Sequence, residues 1–284
     1  MPKLSARGAR HRLELGPYAV EVDADDGGRI VEFSLDGKNA LASRDDSPAA
    51  YGNSFWPSPQ SDWNWPPPPE LDRLPWQASP EEATIALASE THAALGLAAS
   101  ERVTLRPGGI VRIDYTLDNR GTLPRRVAPW QNSRVRPGGL TFYPCRGATL
   151  PGSTLNPPLV SGVAWLLHDP ATMTENAKSF ADGSEGFLAH VEESVLFVKV
   201  WDDVPREEQA PGEAEIELYV DKTGRFVEIE QQGSYATLLP GASLHWRVHW
   251  VLERLAPSVR IEPGSSALLE AARALARRAN AENQ

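Results

Sequence analysis

Residues 110–119, IVRIDYTLDN, alternate without a break. Val111, Ile113, Tyr115 and Leu117 share one face, and Arg112, Asp114, Thr116 and Asp118 share the other. A period of two sends successive side chains to opposite sides of an extended chain, so this stretch is a strand with one apolar face. The signature recurs from end to end, and that repetition leaves little room for any class but all-β. Residues 12–22 read as an opening strand broken at Gly16-Pro17, 27–37 as a hairpin arm between glycine turns, and 101–109 as a strand ending in a Pro-Gly-Gly turn. Further strands are expected at 163–168, 187–192, 194–201, 214–220, 225–232 and 243–253. Only 265–282 reads as helix: serines cap its start, Leu268, Leu269, Ala272 and Leu275 recur at helical spacing, and Arg277 and Arg278 sit near its negative end. No linker or repeat divides the chain. A single domain over residues 1–284 is expected, with its strand core at about 12–255 and a short C-terminal helix packed outside.

Charge narrows the partners. The formal net charge is −10, which disfavours nucleic acid and anionic membrane, because both are gripped through Lys/Arg patches. Cys145 is the one cysteine, so neither an intramolecular disulfide nor a cysteine metal cluster is available. The basic N-terminus lacks the apolar stretch of a signal peptide, no window reaches transmembrane length, and a cytoplasmic location is the expectation. A phosphate loop GxxxxGK[ST], a strand-linked GxGxxG, HExxH and GxSxG are all missing, so no nucleotide cofactor or metal is expected.

Residues 51–77 break the strand rhythm. They carry Trp56, Trp63, Trp65 and Trp76 among Pro57, Pro59, Pro66 to Pro69 and Pro75. Proline removes a backbone donor and fixes φ, so neither helix nor central strand is expected here. Two readings are open. Flat aromatic faces interleaved with Asn53, Gln60, Asp62 and Asn64 suit a sugar, with its apolar C–H faces and hydroxyls; equally, the tryptophans could plug one end of the β structure.

Other clusters carry chemistry. In 225–233, Glu228, Glu230 and Gln232 share a strand face, adjacent carboxylates about 7 Å apart, either as a solvent face or as a cleft in which each raises the other's pKa. Trp130, Gln131, Asn132 and Arg134 could form a stacking and hydrogen-bonding platform at a strand edge, or a loop with one buried anchor. His245 and His249 are about 13 Å apart on a strand, too far to share a metal, with Arg247 between them. His190, opposite to Ala189 and Val191 on its strand, faces either core or cleft.

In order, GGRIVEFSLDGKNAL (27–41), GNSFWPSPQ (52–60), ERVTLRPGGIVRIDYTLDNRGTLP (101–124) and FVEIEQQGSYATLLPGASLHWRVHWVL (226–252) resemble the galactose mutarotase-like superfamily, which includes the aldose 1-epimerases. The resemblance implies a β-supersandwich whose concave face binds carbohydrate. It also implies a glutamate base on a late strand, for which Glu230 is the counterpart and Glu228 the alternate. The acid histidine that follows the central hairpin in that superfamily has no counterpart: Trp130 or Gln131 of RVAPWQNSRV stands in its place, and tryptophan cannot transfer protons at neutral pH. His190 is then the candidate acid from another strand. The expected protein is a monomer that binds a small-molecule carbohydrate through Trp56, Gln60, Trp63, Trp65, Trp130, Asn132, Arg134 and Glu228, either without catalysis or as an epimerase with a replaced acid.

Overall fold

The computed structural model describes residues 1–147 and 149–281, so Glu282, the last residue of the expected helix, lies outside the described residues. Two large antiparallel sheets face each other, one of 11 strands and one of 10. The first runs in the order Lys3–Arg7, Arg10–Leu15, Tyr18–Asp23, Arg29–Leu35, Asn53–Ser58, Arg125–Val135, Val227–Gln232, Ile216–Val220 and Ala177–Ala181; Lys38–Asn39 and Ala236–Leu238 attach to its side. The second runs Leu159–Val160, Val163–Leu167, Leu140–Pro144, Phe187–Glu192, Val195–Val200, Ser243–Arg254, Ile110–Asn119, Leu97–Arg106, Thr84–Ala88 and Gln77–Glu81. This is the all-β supersandwich that the alternation and the resemblance imply. The strands read from the sequence appear within a few residues of their expected limits. No helix among the described residues is long and apolar enough to cross a membrane.

The core lies between the sheets. Val111, Ile113, Tyr115 and Leu117 point inward and are buried, as their alternation requires. Phe33 of the first sheet meets Phe197 and Trp250 of the second, with ring centroids 5.8 Å away in each case. Outward from the second sheet, the helix Ser266–Ala281 seats Leu268, Ala272, Leu275 and Ala279 over Leu196, Val198 and Val251, which makes a smaller apolar layer. The Ser265 hydroxyl accepts the Leu268 N–H at 3.3 Å and so caps the helix start. His249 lies buried on that helix-covered face, while His245 is exposed.

The 51–77 segment corrects two expectations. Asn53–Ser58 is a strand in the middle of the first sheet, despite Pro57. The register explains the tolerance: Pro57 lies directly across from Pro129. Their carbonyls point away from each other, that of Pro57 accepting the Trp63 Nε1–H and that of Pro129 accepting the Gly233 N–H. The pair is therefore a non-hydrogen-bonded one, where a missing N–H removes no bond between these two strands. Beyond it, Pro69–Asp72 forms one helical turn with Pro69 in its first position, where a missing donor does no harm. Gly27, at φ +67, packs beneath this turn, and a Cβ there would strike the Asp72 carbonyl. The strands Gln77–Glu81, Thr84–Ala88, Leu140–Pro144 and Ala177–Ala181 were not expected, and Arg125–Val135, expected as a strand edge or a loop, is a strand within the first sheet. Two of them, Gln77–Glu81 and Ala177–Ala181, are edge strands of mixed composition.

Three histidines are buried and held neutral. Burial lowers His168 to about 4, His190 to about 3 and His249 to about 4. For a base whose folded pKa is depressed, the unfolded chain binds the extra proton below its ordinary value of about 6.5, so stability rises with pH and is lost on acidification. We expect urea midpoints to fall between pH 7.5 and pH 5. His168→Gln/His190→Gln should remove on the order of 3–4 kcal/mol of that loss, about 2 kcal/mol per histidine, and a fall equal to that of the unmodified chain would contradict the assignment.

Candidate functional site

Arg125–Val135 is the central strand of the site. Its alternation sends Trp130, Asn132 and Arg134 to the outer face of the first sheet and Gln131, Ser133 and Val135 to the interior. Register then fixes the neighbours. Trp130 lies across from Trp56 on one side and Gln232 on the other; Asn132 from Ser54 and Glu230; Arg134 from Glu228. One strand further, Glu217 faces Glu230 and Tyr219 faces Glu228, and at the sheet edge Lys178 faces Tyr219. Of these, Trp56, Trp130, Asn132, Arg134, Lys178, Tyr219, Glu228 and Glu230 line a cavity of about 770 Å³ whose walls include Tyr51, Gln60, Trp65, Pro66 and Pro67, Arg29 and Asp72.

Aromatic rings shape it. Trp56 and Trp130 meet edge to face at 5.5 Å, and Trp65 packs against Trp56 at 6.3 Å while remaining 69% exposed. The Trp56 Nε1–H donates to Asp72 Oδ1 at 2.9 Å, which ties the strand to the helical turn above it. Arg134 lies 5.0 Å over the Trp56 ring, donates from Nε to Glu228 Oε1 at 2.9 Å and from Nη1 to Ser54 Oγ at 2.6 Å. Arg29, also buried, donates to the Tyr51 carbonyl at 2.9 Å and the Asp72 carbonyl at 3.2 Å. Burial and the neighbouring Arg134 lower its pKa.

Glu230 is fully buried. Its Oε2 accepts the Trp130 Nε1–H at 2.8 Å, and the Lys178 ammonium stands 3.9 Å from it and 2.6 Å from Glu217 Oε2. Loss of water raises the Glu230 carboxyl well above the usual range; Lys178 opposes the shift, and Glu228 and Glu217 add to it. Glu230 Oε1 and Asn132 Oδ1 are buried with no hydrogen-bond partner. Groups of this kind are rare unless something else fills the bond. Around Lys178 the carboxylates outweigh its desolvation and raise its pKa, so it stays an ammonium.

Trp56, Gln60, Trp65, Trp130, Asn132, Arg134, Glu228 and Glu230 therefore converge on one cavity. Two expected residues do not. Trp63 bonds to the Pro57 carbonyl at 2.8 Å and buttresses Trp56 and Trp130 at 6.1 and 6.4 Å without lining the cavity. His190 belongs to the second sheet. Ala189 and Val191 on its strand face the helix, so His190 faces between the sheets, its Nδ1 against Thr141 Oγ1 at 2.9 Å. Walled off from Glu230 by a sheet, it cannot act as the acid. Arg29, Asp72, Lys178, Glu217 and Tyr219 are site residues that the sequence did not bring forward. The alternation of Ile216, Leu218 and Val220 would have placed Glu217 and Tyr219 on one polar face. No group of three His, Cys, Asp or Glu among the described residues could hold a metal ion.

Behind the floor lies a buried polar network. Lys199, on the second sheet, donates to Ser133 Oγ and to the Ile229 carbonyl of the first, both at 2.8 Å. Ser133 donates to Asn53 Oδ1 at 2.7 Å; Asn53 and Gln131 donate to the Tyr115 hydroxyl at 3.1 and 2.6 Å; Trp250 Nε1 donates to Gln131 Oε1 at 3.0 Å. Burial drives the Lys199 pKa well below its ordinary value. Tyr115→Phe keeps the ring and strands two buried amide donors, so we expect a loss of about 1–3 kcal/mol in urea unfolding. An unchanged midpoint would show that the network contributes nothing.

No family model matches the chain, and no curated protein matches it in sequence. Solved structures do match in fold. A galactose mutarotase-like protein from Lactobacillus casei is 11% identical, with a TM-score of 0.61 over 84% of this chain and 98% of that one. A galactose mutarotase related enzyme from Lactobacillus acidophilus is 8% identical, with a TM-score of 0.62 over 92% and 100%. A TPR-domain containing protein from Parabacteroides distasonis is 15% identical with a TM-score of 0.62; the match covers 90% of this chain but only 50% of that protein.

Proposed function

We propose that this chain, built on the galactose mutarotase-like fold, binds a carbohydrate in the cleft between Trp56, Trp130 and Arg134. One observation carries the reading: Glu230 Oε1 and Asn132 Oδ1 are buried, lack partners and belong to residues that floor an aromatic-walled cavity. Sugar hydroxyls, which both donate and accept, would satisfy such oxygens, while the C–H faces of a pyranose pack on indole rings. Arg134 is pre-oriented by Glu228 and Ser54, so its fork needs little ordering when a ligand arrives. We take the protein to act as a monomer on a small-molecule carbohydrate.

Epimerisation is the second reading, favoured by the Glu217–Lys178–Glu230 cluster, in which two carboxyl groups share one ammonium. Glu230 would be the base, and with His190 excluded the acid would have to come from that cluster. The raised Glu230 pKa weakens it as a base near neutrality, since a protonated carboxyl cannot accept a proton.

A printed array of mono- to hexasaccharides identifies a ligand, and calorimetric titration then measures it. Glu230→Gln and Arg134→Ala should each weaken binding about ten-fold or more, Arg134 through the loss of a charge-assisted hydrogen bond and Glu230 through the loss of a buried carboxyl's bond. Unchanged affinity in both variants, or an array with no signal, would overturn the reading. Anomer exchange followed by NMR with the same sugar separates binding from epimerisation: acceleration abolished by Glu230→Gln would establish the second reading.

A further inference from the structure

The cleft face does not end at Glu230. Register places Ser54, Asn132, Glu230, Glu217 and Phe180 in one row across the first sheet, out to its edge strand Ala177–Ala181. Neighbouring strands are about 4.8 Å apart, which puts Phe180 about 10 Å from Glu230 along that row. One pyranose ring does not reach so far. Phe180 belongs to neither apolar cluster and is only half-buried, so core packing does not account for it.

At that end of the row is a second cavity of about 260 Å³, walled by Phe180, Pro151, Arg206, Gln209 and Glu213. It adjoins the main cleft at two points. The Lys178 ammonium lies 5.1 Å from the Trp130 ring and 5.3 Å from the Phe180 ring, so one cation sits between the two aromatic platforms. Gln60, in the wall of the main cleft, donates its backbone N–H to Glu213 Oε1 at 2.9 Å. We propose that this second cavity is a subsite for a further sugar residue, so that the ligand is a di- or oligosaccharide whose chain crosses Lys178 from Trp130 to Phe180. The proposal rests on the carbohydrate reading of the main cleft. Burial and the neighbouring Glu217 push Glu213 up to about 8, which favours the neutral form that can donate to a hydroxyl.

The array that identifies a ligand also tests this. Signal should appear on di- to hexasaccharides and be weak or missing on the corresponding monosaccharides. In calorimetry the strongest oligosaccharide should bind at least ten-fold more tightly than its terminal monosaccharide. Phe180→Ala should reduce oligosaccharide affinity about ten-fold and change monosaccharide affinity less than two-fold. Arg206→Ala, an exposed position whose loss leaves the strands intact, should show the same split. Equal affinity for both ligands, or an equal loss for both in the two variants, would overturn the subsite while leaving the main cleft standing. If no glycan binds, or if Glu230→Gln has no effect on those that do, the carbohydrate reading fails and the subsite fails with it.

Discussion

Everything distinctive about this molecule depends on the register of Arg125–Val135. A strand offers two faces, and a slip of one residue exchanges them. Here both faces are polar and both are spoken for. Outward go Trp130, Asn132 and Arg134; inward go Gln131 and Ser133, which bond to Tyr115, Trp250 and Lys199 of the opposite sheet. Slipping by one would drive an arginine and an indole into the core and leave those partners unmet. Burying an unpaired polar group costs far more than a single hydrogen bond yields. The interior network thus acts as the lock on the exterior site: it makes the cleft residues arrive in their rows with no loop to hold them.

Charge in the cleft is arranged in short range rather than in sum. The chain is strongly acidic, yet the floor alternates sign: Arg134 beside Glu228, Lys178 between Glu217 and Glu230, Arg29 beside Asp72. Each cation is buried or half-buried with its carboxylate, so neither is free to search for another partner. Among the described residues that line the cleft, Glu230 Oε1 and Asn132 Oδ1 are buried acceptors without a hydrogen-bond partner. A site with its charges already paired and its acceptors unfilled suits a neutral, hydroxylated ligand better than an ion.

Much of this was legible in the sequence, for a physical reason. Period two gives the strand, the strand gives the face, and so Glu228 could be grouped with Glu230 before any coordinates; Trp130, Asn132 and Arg134 were brought together only along with the inward-facing Gln131, because 125–135 did not read as a strand. Which faces oppose one another is a matter of long-range pairing, and single-sequence patterns do not carry it. His190 was misplaced for that cause: its strand was right, but its sheet could not be known. Asn53–Ser58 was missed because a proline speaks against a central strand unless it falls at a non-hydrogen-bonded pair, and that register is set by pairing with Pro129, more than seventy positions away. Lys178 comes from a five-residue edge strand, AKSFA, with almost no pattern of its own.

The tryptophan cluster has an optical consequence. Trp56 meets Trp63, Trp65 and Trp130 with centroids 6.1, 6.3 and 5.5 Å apart and planes at 67°, 82° and 86°. Indole rings this near couple as excitons, with a strength set by how their in-plane transition dipoles are oriented, and the coupled bands have opposite rotational strengths. Far-ultraviolet circular dichroism of this chain will therefore contain an aromatic couplet on top of the peptide signal, and strand content read from it without that correction will be wrong. The same couplet reports on the cleft from within, since any change in the angle between Trp65 and Trp56 alters its amplitude with no label attached.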